Sequence, residues 1–381
     1  MRMKITDVQP IPLVLPLAEP FQGGTYVIRA RNTLVVRIET DEGIAGETYG
    51  GDEDHYQEEI VSVVQEYLRP LLIGRDPFMV EALNEEMCAL PIDLGNRGLH
   101  ALDLARHAIR MQAIAAVDVA LWDVLGKAAG QPLYRLLGGF RNTLPVISIG
   151  GYYSKDGATA PLAEEVGRCK AVGVAGIKMK VGRASLAHDL ERTRVIREAG
   201  GPDFVIACDA NQGWTVAEAI AFAREVEPLR IAWLEEPVKW YDCVEGLRRV
   251  REATPIPVTS GQGEISRQGM RDLIVREAVD IINTDVTMVG GVTQWRKIAG
   301  LAECFDLTIG HHEEPQVAAH LLASSPHGGY VEIFADRRRD PLWYELPATP
   351  PKIAGGLYHV PEGPGLGLPL NPDVIARCRK R

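Results

Sequence analysis

The chain has 381 residues, 46 % hydrophobic and 24 % charged, so it is long enough for more than one domain around a large core and has the makeup of an ordinary globular protein. A formal net charge of −10 argues against a nucleic-acid partner, which needs a basic stripe to meet phosphates. An anionic small molecule would need a locally positive site, and a metal ion supplies one. The opening MRMKITDVQPIPLVLP is basic and then apolar, but Asp7, Gln9 and the prolines break the run, so neither a signal-peptide core nor a membrane span is expected there. Six cysteines stand singly without a CxxC pair, as expected of reduced thiols in a cytoplasmic protein.

Thr33 to Thr40 alternates as a strand, Asp41-Glu-Gly43 reads as a hairpin turn, and Ile44 to Thr48 as the return strand. Between about Asp54 and Met87 the period turns helical. From Ile114, the residues Val117, Leu121, Val124 and Ala128 share one helix face that stops near Gly130-Gln-Pro132. Residues 1–130 therefore read as an α+β unit. From Val146 short apolar strands alternate with helix-length segments: 146–150, 176–181, 204–209, 231–235, 256–261, 279–285, 307–311 and 330–334. Eight such strands predict a parallel (β/α) barrel over 131–340. The rival, an open doubly wound sheet, usually announces a nucleotide with a glycine-rich first turn, and no GxGxxG or Walker loop is present. The tail, 341–381, is rich in proline and glycine. Its interleaved Trp343, Tyr344, Leu346, Ile353, Leu357 and Tyr358 predict that it packs back on the first domain.

In a barrel, reactive groups sit at the carboxyl ends of strands. Alternation along Gly176-Ile-Lys-Met-Lys-Val-Gly182 puts Ile177, Met179 and Val181 on the helix-facing side, so Lys178 and Lys180 point inward. Two buried ammonium groups should depress each other's pKa, as a base lysine needs. An exposed edge strand with solvated lysines is the alternative. Asp209 and Glu235 close the third and fourth strands, which suggests oxygen ligands for a hard cation, although either alone is as readily a helix cap. Asp285 ends the sixth strand and His311-His312 the seventh, and a neighbouring aspartate raises an imidazole's basicity. No GxSxG elbow supports a nucleophilic hydrolase.

Together these residues resemble the enolase superfamily, and within it the mandelate racemase / muconate lactonizing group. The likeness runs from Ala113-Ile-Ala-Ala-Val-Asp-Val-Ala-Leu-Trp-Asp-Val and Gln131-Pro-Leu-Tyr-Arg-Leu-Leu-Gly138 through the KxK strand, Asp209-Ala-Asn-Gln-Gly-Trp214 and Glu235-Glu-Pro237. It continues over Gly290-Gly-Val-Thr293 and Ala319-His-Leu-Leu-Ala-Ser-Ser-Pro326 to the tail. The resemblance implies a (β/α)7β barrel with an α+β cap and a Mg2+ ion held by three strand-end ligands, two of them Asp209 and Glu235. It implies Lys180 as one base, His312 paired with Asp285 as the other, and Lys178 tuning Lys180 and touching the substrate carboxylate, to which Glu332 also bonds. The third ligand is ordinarily a Glu directly after the fifth strand's Gly261. Here that position is Gln262; Glu264, two residues on, is the favoured substitute, with the Gln262 amide oxygen as the alternative. Asn211, and Tyr26 and His55 in the cap loops, are expected substrate contacts.

The resemblance implies abstraction of the α-proton of a small carboxylate through an enediolate, a scheme for which such sites are a standing example. The expected reaction is dehydration of a hydroxylated (sugar) acid to a 2-keto-3-deoxy acid. Racemisation or epimerisation and cycloisomerisation are the alternatives, and a non-catalytic binding protein is the reading from another class. A homo-oligomer is expected, with neither nucleic acid nor membrane as partner.

Overall fold

The computed structural model describes residues 3–52, 56–92 and 104–380. Strands β1 (Ile5–Gln22), β2 (Val27–Thr40) and β3 (Ala45–Asp52) form an antiparallel sheet in that order. The expected turn joins β2 to β3, with Gly43 at φ 74°. The sequence reading does not anticipate β1, because Pro10, Pro12 and Pro16 obscure its alternation. They are tolerated because β1 is an edge strand and all three fall at even positions, whose missing N–H groups share the edge away from β2. On that edge the Pro12 carbonyl accepts from Lys380 N at 2.8 Å, so the end of the chain covers it.

The helix Leu104–Ala129 crosses this sheet with Val117, Leu121 and Val124 fully buried. A Cβ on Gly46 of β3 would stand 2.3 Å from Ala120 O, so glycine is what lets helix and strand touch. The same helix bolts the sheet to the rest of the molecule. Asp118 accepts from Thr293 N (3.0 Å) and Asn84 Nδ2 (2.8 Å), and Trp122 Nε1 donates to Thr293 Oγ1 (2.9 Å). Gly291, at φ 94°, has no room for a side chain, since its Cβ would lie 2.3 Å from Asp118 Oδ1. The Gly-Gly-Val-Thr motif therefore serves docking rather than chemistry.

The eight predicted barrel strands are all present: β4 (Thr143–Gly150), β5 (Gly176–Lys180), β6 (Val205–Asp209), β7 (Trp233–Glu235), β8 (Val258–Ser260), β9 (Ile281–Thr284), β10 (Thr308–His311) and β11 (Val331–Ile333). They pair in parallel from β4 to β10, and β11 returns to β4. Between β10 and β11 the ring closes through Ile309, whose N donates to His327 O (2.9 Å) and whose O accepts from Gly329 N (2.8 Å). Helices separate successive strands, so the architecture is the expected (β/α)7β barrel with an α+β cap. After the barrel, β12 (Lys352–Ala354) and β13 (Leu357–His359) form a hairpin set antiparallel on the start of β4, with Tyr358 fully buried. The chain then runs to the cap, where Leu366 N donates to Asp123 Oδ1 (2.7 Å). The six cysteines are all unpaired, and among the described residues no helix is long and apolar enough to cross a membrane.

Candidate active site

Registry sets the site. Lys180 of β5, Asp209 of β6 and Glu235 of β7 are successive partners across three neighbouring strands, so their side chains leave the sheet at one level on its inner face. Ile177 and Met179 alternate outward into the core, and Lys178 and Lys180 are 0 % and 1 % exposed inside the barrel. The solvated-edge alternative is thereby ruled out. Lys180 Nζ lies 2.5 Å from Asp209 Oδ2, and Lys178 Nζ lies 2.8 Å from Glu235 Oε1 and 2.6 Å from Glu332 Oε1.

These pairs correct one expectation. Burial pulls both ammonium groups down, but Glu235 and Glu332 around Lys178, and Asp209 beside Lys180, outweigh it and hold both pKa values above the ordinary lysine range. Mutual depression by the neighbouring lysine is a minor effect, because each lysine has a carboxylate of its own. Of the partners, burial raises Asp209 but the two lysines more than reverse that, leaving it low. Glu235 is pushed up to about 7, chiefly by burial.

Across the mouth, His312 Nδ1 stands 3.0 Å from Asp285 Oδ2, while Asp285 Oδ1 accepts from Thr287 N (2.8 Å) and Oγ1 (2.7 Å). Burial lowers the imidazole, yet the Asp285 hydrogen bond and Glu313 dominate and raise it to about 9. His311 has a different task. Its Nε2 accepts from Val286 N (3.0 Å), so the ring proton sits on Nδ1, which donates to His312 O (2.9 Å). Buried and neutral, it holds the backbone that carries His312.

A cavity of about 370 Å³ opens above these groups, lined by Tyr26, Arg31 and Phe21 from the cap and by Tyr152, Asn211, Gln262, Asp285, His312, Glu313 and Glu314 from the barrel. The cap loop at Gly23–Tyr26 rests on the strand ends: a Cβ on Gly24 would meet Val181 O at 3.1 Å, and the Tyr26 ring centre is 5.7 Å from Lys180 Nζ. His55 lies outside the described residues. Glu264 does not reach the cavity. Its carboxylate packs against Gly269 in the helix Arg267–Val275, whereas Gln262 lines the wall. A tight backbone path, with Gly261 at φ 132° and Glu264 N donating to Gly261 O (2.9 Å), replaces the extended segment on which the choice of Glu264 rested.

Sequence reasoning missed Glu236, Glu313, Glu314 and Arg31. Strict alternation places Glu236 outside the barrel, but its φ of 40° turns the chain back, and Glu313 and Glu314 do the same at 44° and 49°. No local sequence signal marks those turns. Arg31 stacks over Phe334 (4.6 Å) and Phe21 (5.6 Å) and lies 3.7 Å from Glu313 Oε2.

The donors suit a hard cation. Among the described residues no three His, Cys, Asp or Glu side chains stand together as a ready cage, so the set is mixed. Asn211 Nδ2 donates to Asp209 Oδ2 (3.1 Å), and in the cavity wall the amide oxygens Asn211 Oδ1 and Gln262 Oε1 are buried without a hydrogen-bond partner. Oxygen acceptors left without protons are what magnesium binds.

The comparisons with known proteins agree with this fold. The family model for the mandelate racemase / muconate lactonizing enzyme N-terminal domain matches residues 6–138, and the enolase C-terminal domain-like model matches residues 161–374. A mandelate racemase/muconate lactonizing enzyme from a marine actinobacterium, solved in complex with magnesium, is 41 % identical with a TM-score of 0.90, both chains covered in full. The 3,6-anhydro-alpha-L-galactonate cycloisomerase of Streptomyces coelicolor is 31 % identical over 98 % of this chain and 97 % of its own. The arabinonate dehydratase of Saccharolobus solfataricus is 31 % identical over 90 % of this chain and 89 % of its own. Further relatives bear the names of racemases and epimerases. With cap and barrel each matched by its family model, the chain belongs to the mandelate racemase / muconate lactonizing enzyme family of the enolase superfamily.

Proposed function

We propose that this protein dehydrates a hydroxylated acid, of the sugar-acid class, to a 2-keto-3-deoxy acid. One observation carries the reading: His312 and Asp285, just past β10 and β9, line the cavity, and Lys180 at the end of β5, three steps from β10 by the shorter way round the ring, lies 5.7 and 5.9 Å from the Tyr26 and Tyr152 rings that line it too. A substrate held between them has the Lys180 ammonium, paired with Asp209, on one side and an imidazolium on the other. Raised to about 9, His312 is a cation at neutral pH and suited to act as an acid.

Asp209, Glu235 and the Gln262 amide oxygen would hold magnesium, with Asn211 beside them. Bound there, it would supply positive charge that stabilises the substrate carboxylate during proton loss and competes with Lys180 for Asp209. Lys178, fixed by Glu235 and Glu332, would place its ammonium against that carboxylate. With Asp209 drawn to the metal, Lys180 first gives up its own ammonium proton to solvent; its free Nζ then takes the α-proton, the electron pair passes into the enediolate, and the C–O bond at the β-carbon breaks. His312 Nε2 protonates the departing hydroxyl, which leaves as water, and the enol product becomes the 2-keto acid. Tyr26 closes the Lys180 side against solvent.

Relatives named cycloisomerase, racemase and epimerase support a second reading, in which His312 returns a proton to the α-carbon from the opposite face. A panel of acid sugars incubated with enzyme and Mg2+, assayed for 2-keto acids, decides between them. Formation of 2-keto acid is expected. Stereochemical inversion without it would overturn dehydration in favour of the second reading.

A further inference from the structure

Replacing a glutamate ligand by Gln262 removes one negative charge from the ion's surroundings, yet a carboxylate stands directly behind it. Glu236 is 4 % exposed and has no ion-pair partner among the described residues. Its oxygens are met by two neutral amides: Gln262 Nε2 donates to Oε2 at 2.8 Å, and Gln212 Nε2 donates to Oε1 at 3.1 Å. Burial, and then Asp209, push the Glu236 carboxyl pKa upward, so holding it as an anion with only neutral donors is costly unless a cation nearby shares its field. The backbone confirms that the placement is imposed. Glu236 sits at φ 40°, pinned by its own N–H donating to Thr259 O (2.9 Å) and by Gln212 N donating to its carbonyl (2.8 Å).

We propose that Glu236 supplies the third negative charge of the magnesium site, acting through Gln262. The proposal rests on the reading that Asp209, Glu235 and Gln262 hold magnesium. Because Glu236 accepts the amide N–H, it settles which end of Gln262 is the nitrogen and leaves Oε1 turned away, buried and without a donor. It also polarises the amide, drawing density toward Oε1 and strengthening it as a ligand, as carboxylates do behind metal-bound histidines. Glu236 is thus a positioning residue: the charge that a glutamate at position 262 would carry has moved one hydrogen bond outward.

Calorimetric titration of the full-length protein with Mg2+ tests this without substrate. E236Q should weaken binding by about 10- to 100-fold, the usual effect of losing such a partner. Q262E should tighten it, and the E236Q/Q262E double variant should recover most of the loss, because the charge returns to the inner position. Melting temperatures of the metal-free variants serve as the folding control. Wild-type affinity in E236Q would overturn the proposal. So would a double variant as weak as E236Q, which would make Glu236 a support for the loop rather than a source of charge. A wild-type protein that binds no Mg2+ would instead overturn the functional reading, and this inference with it.

Discussion

Lys180 and Asp209 are register partners on adjacent barrel strands, and their side chains meet as an ion pair at 2.5 Å with both groups at most 2 % exposed. A pair so deeply buried is weak evidence of net stabilisation but costly to split. D209N should therefore destabilise the protein by ~3–5 kcal/mol, and D209N/K180M by much less, because the second change removes the stranded charge. Denaturant unfolding of the four proteins in the cycle measures this. Equal destabilisation in the single and double variants would mean that the two groups are not energetically paired.

For the histidine, activity is the readout. H312N should lower dehydration by about 10²- to 10⁴-fold, the range of a lost general acid. It should still allow solvent deuterium to enter the α-position of substrates that present that hydrogen to Lys180. D285N should resemble H312N, since Asp285 is the main support of the raised imidazole pKa. In the wild type the acid form is lost as pH rises through about 9, so turnover should fall there, and D285N should shift that fall toward lower pH. Unimpaired turnover in H312N would remove His312 from the mechanism.

Stability should also respond to pH through Glu314. Burial pushes its carboxyl from 4.5 to about 8, with Asp285 and Glu313 adding to the rise while Gly51 N, donating at 2.7 Å, opposes it. The folded state binds this proton more tightly than the unfolded state. The stability it contributes is fully present below pH 4.5 and is lost as pH rises through about 8. Each unit of such a difference is worth about 1.4 kcal/mol, and the side chain is only partly buried, so a loss on the order of 1–3 kcal/mol is expected. His312 adds a loss of the same sign between 6.5 and about 9. E314Q should flatten the fall of Tm below pH 8; an unchanged slope would show that Glu314 is ionised throughout.

The two candidates for the third ligand separate cleanly. Q262A removes a cavity-facing amide and should raise the Kd for Mg2+ by about tenfold or more. E264Q alters a carboxylate packed against Gly269 and should leave that Kd unchanged. The reverse ranking would return the ligand to Glu264.

What the sequence alone determined was whatever strict periodicity governs. Eight apolar strands at helix-length spacing define the barrel, and alternation along β5 sends Lys178 and Lys180 inward because Ile177 and Met179 must meet helices. Asp209, Glu235, Asp285 and His312 follow from lying at strand ends. The tertiary structure decided what periodicity does not carry. The edge position of β1 makes its prolines acceptable, and left-handed backbone at Glu236, Glu313 and Glu314 reverses the side on which they face. The tight path after Gly261 turns Glu264 away and leaves Gln262 in the wall. The charge states of the lysines were likewise decided in three dimensions. A strand places two ammonium groups side by side, but their pKa values depend on which carboxylates the neighbouring strands bring within 3 Å, a matter of inter-strand register.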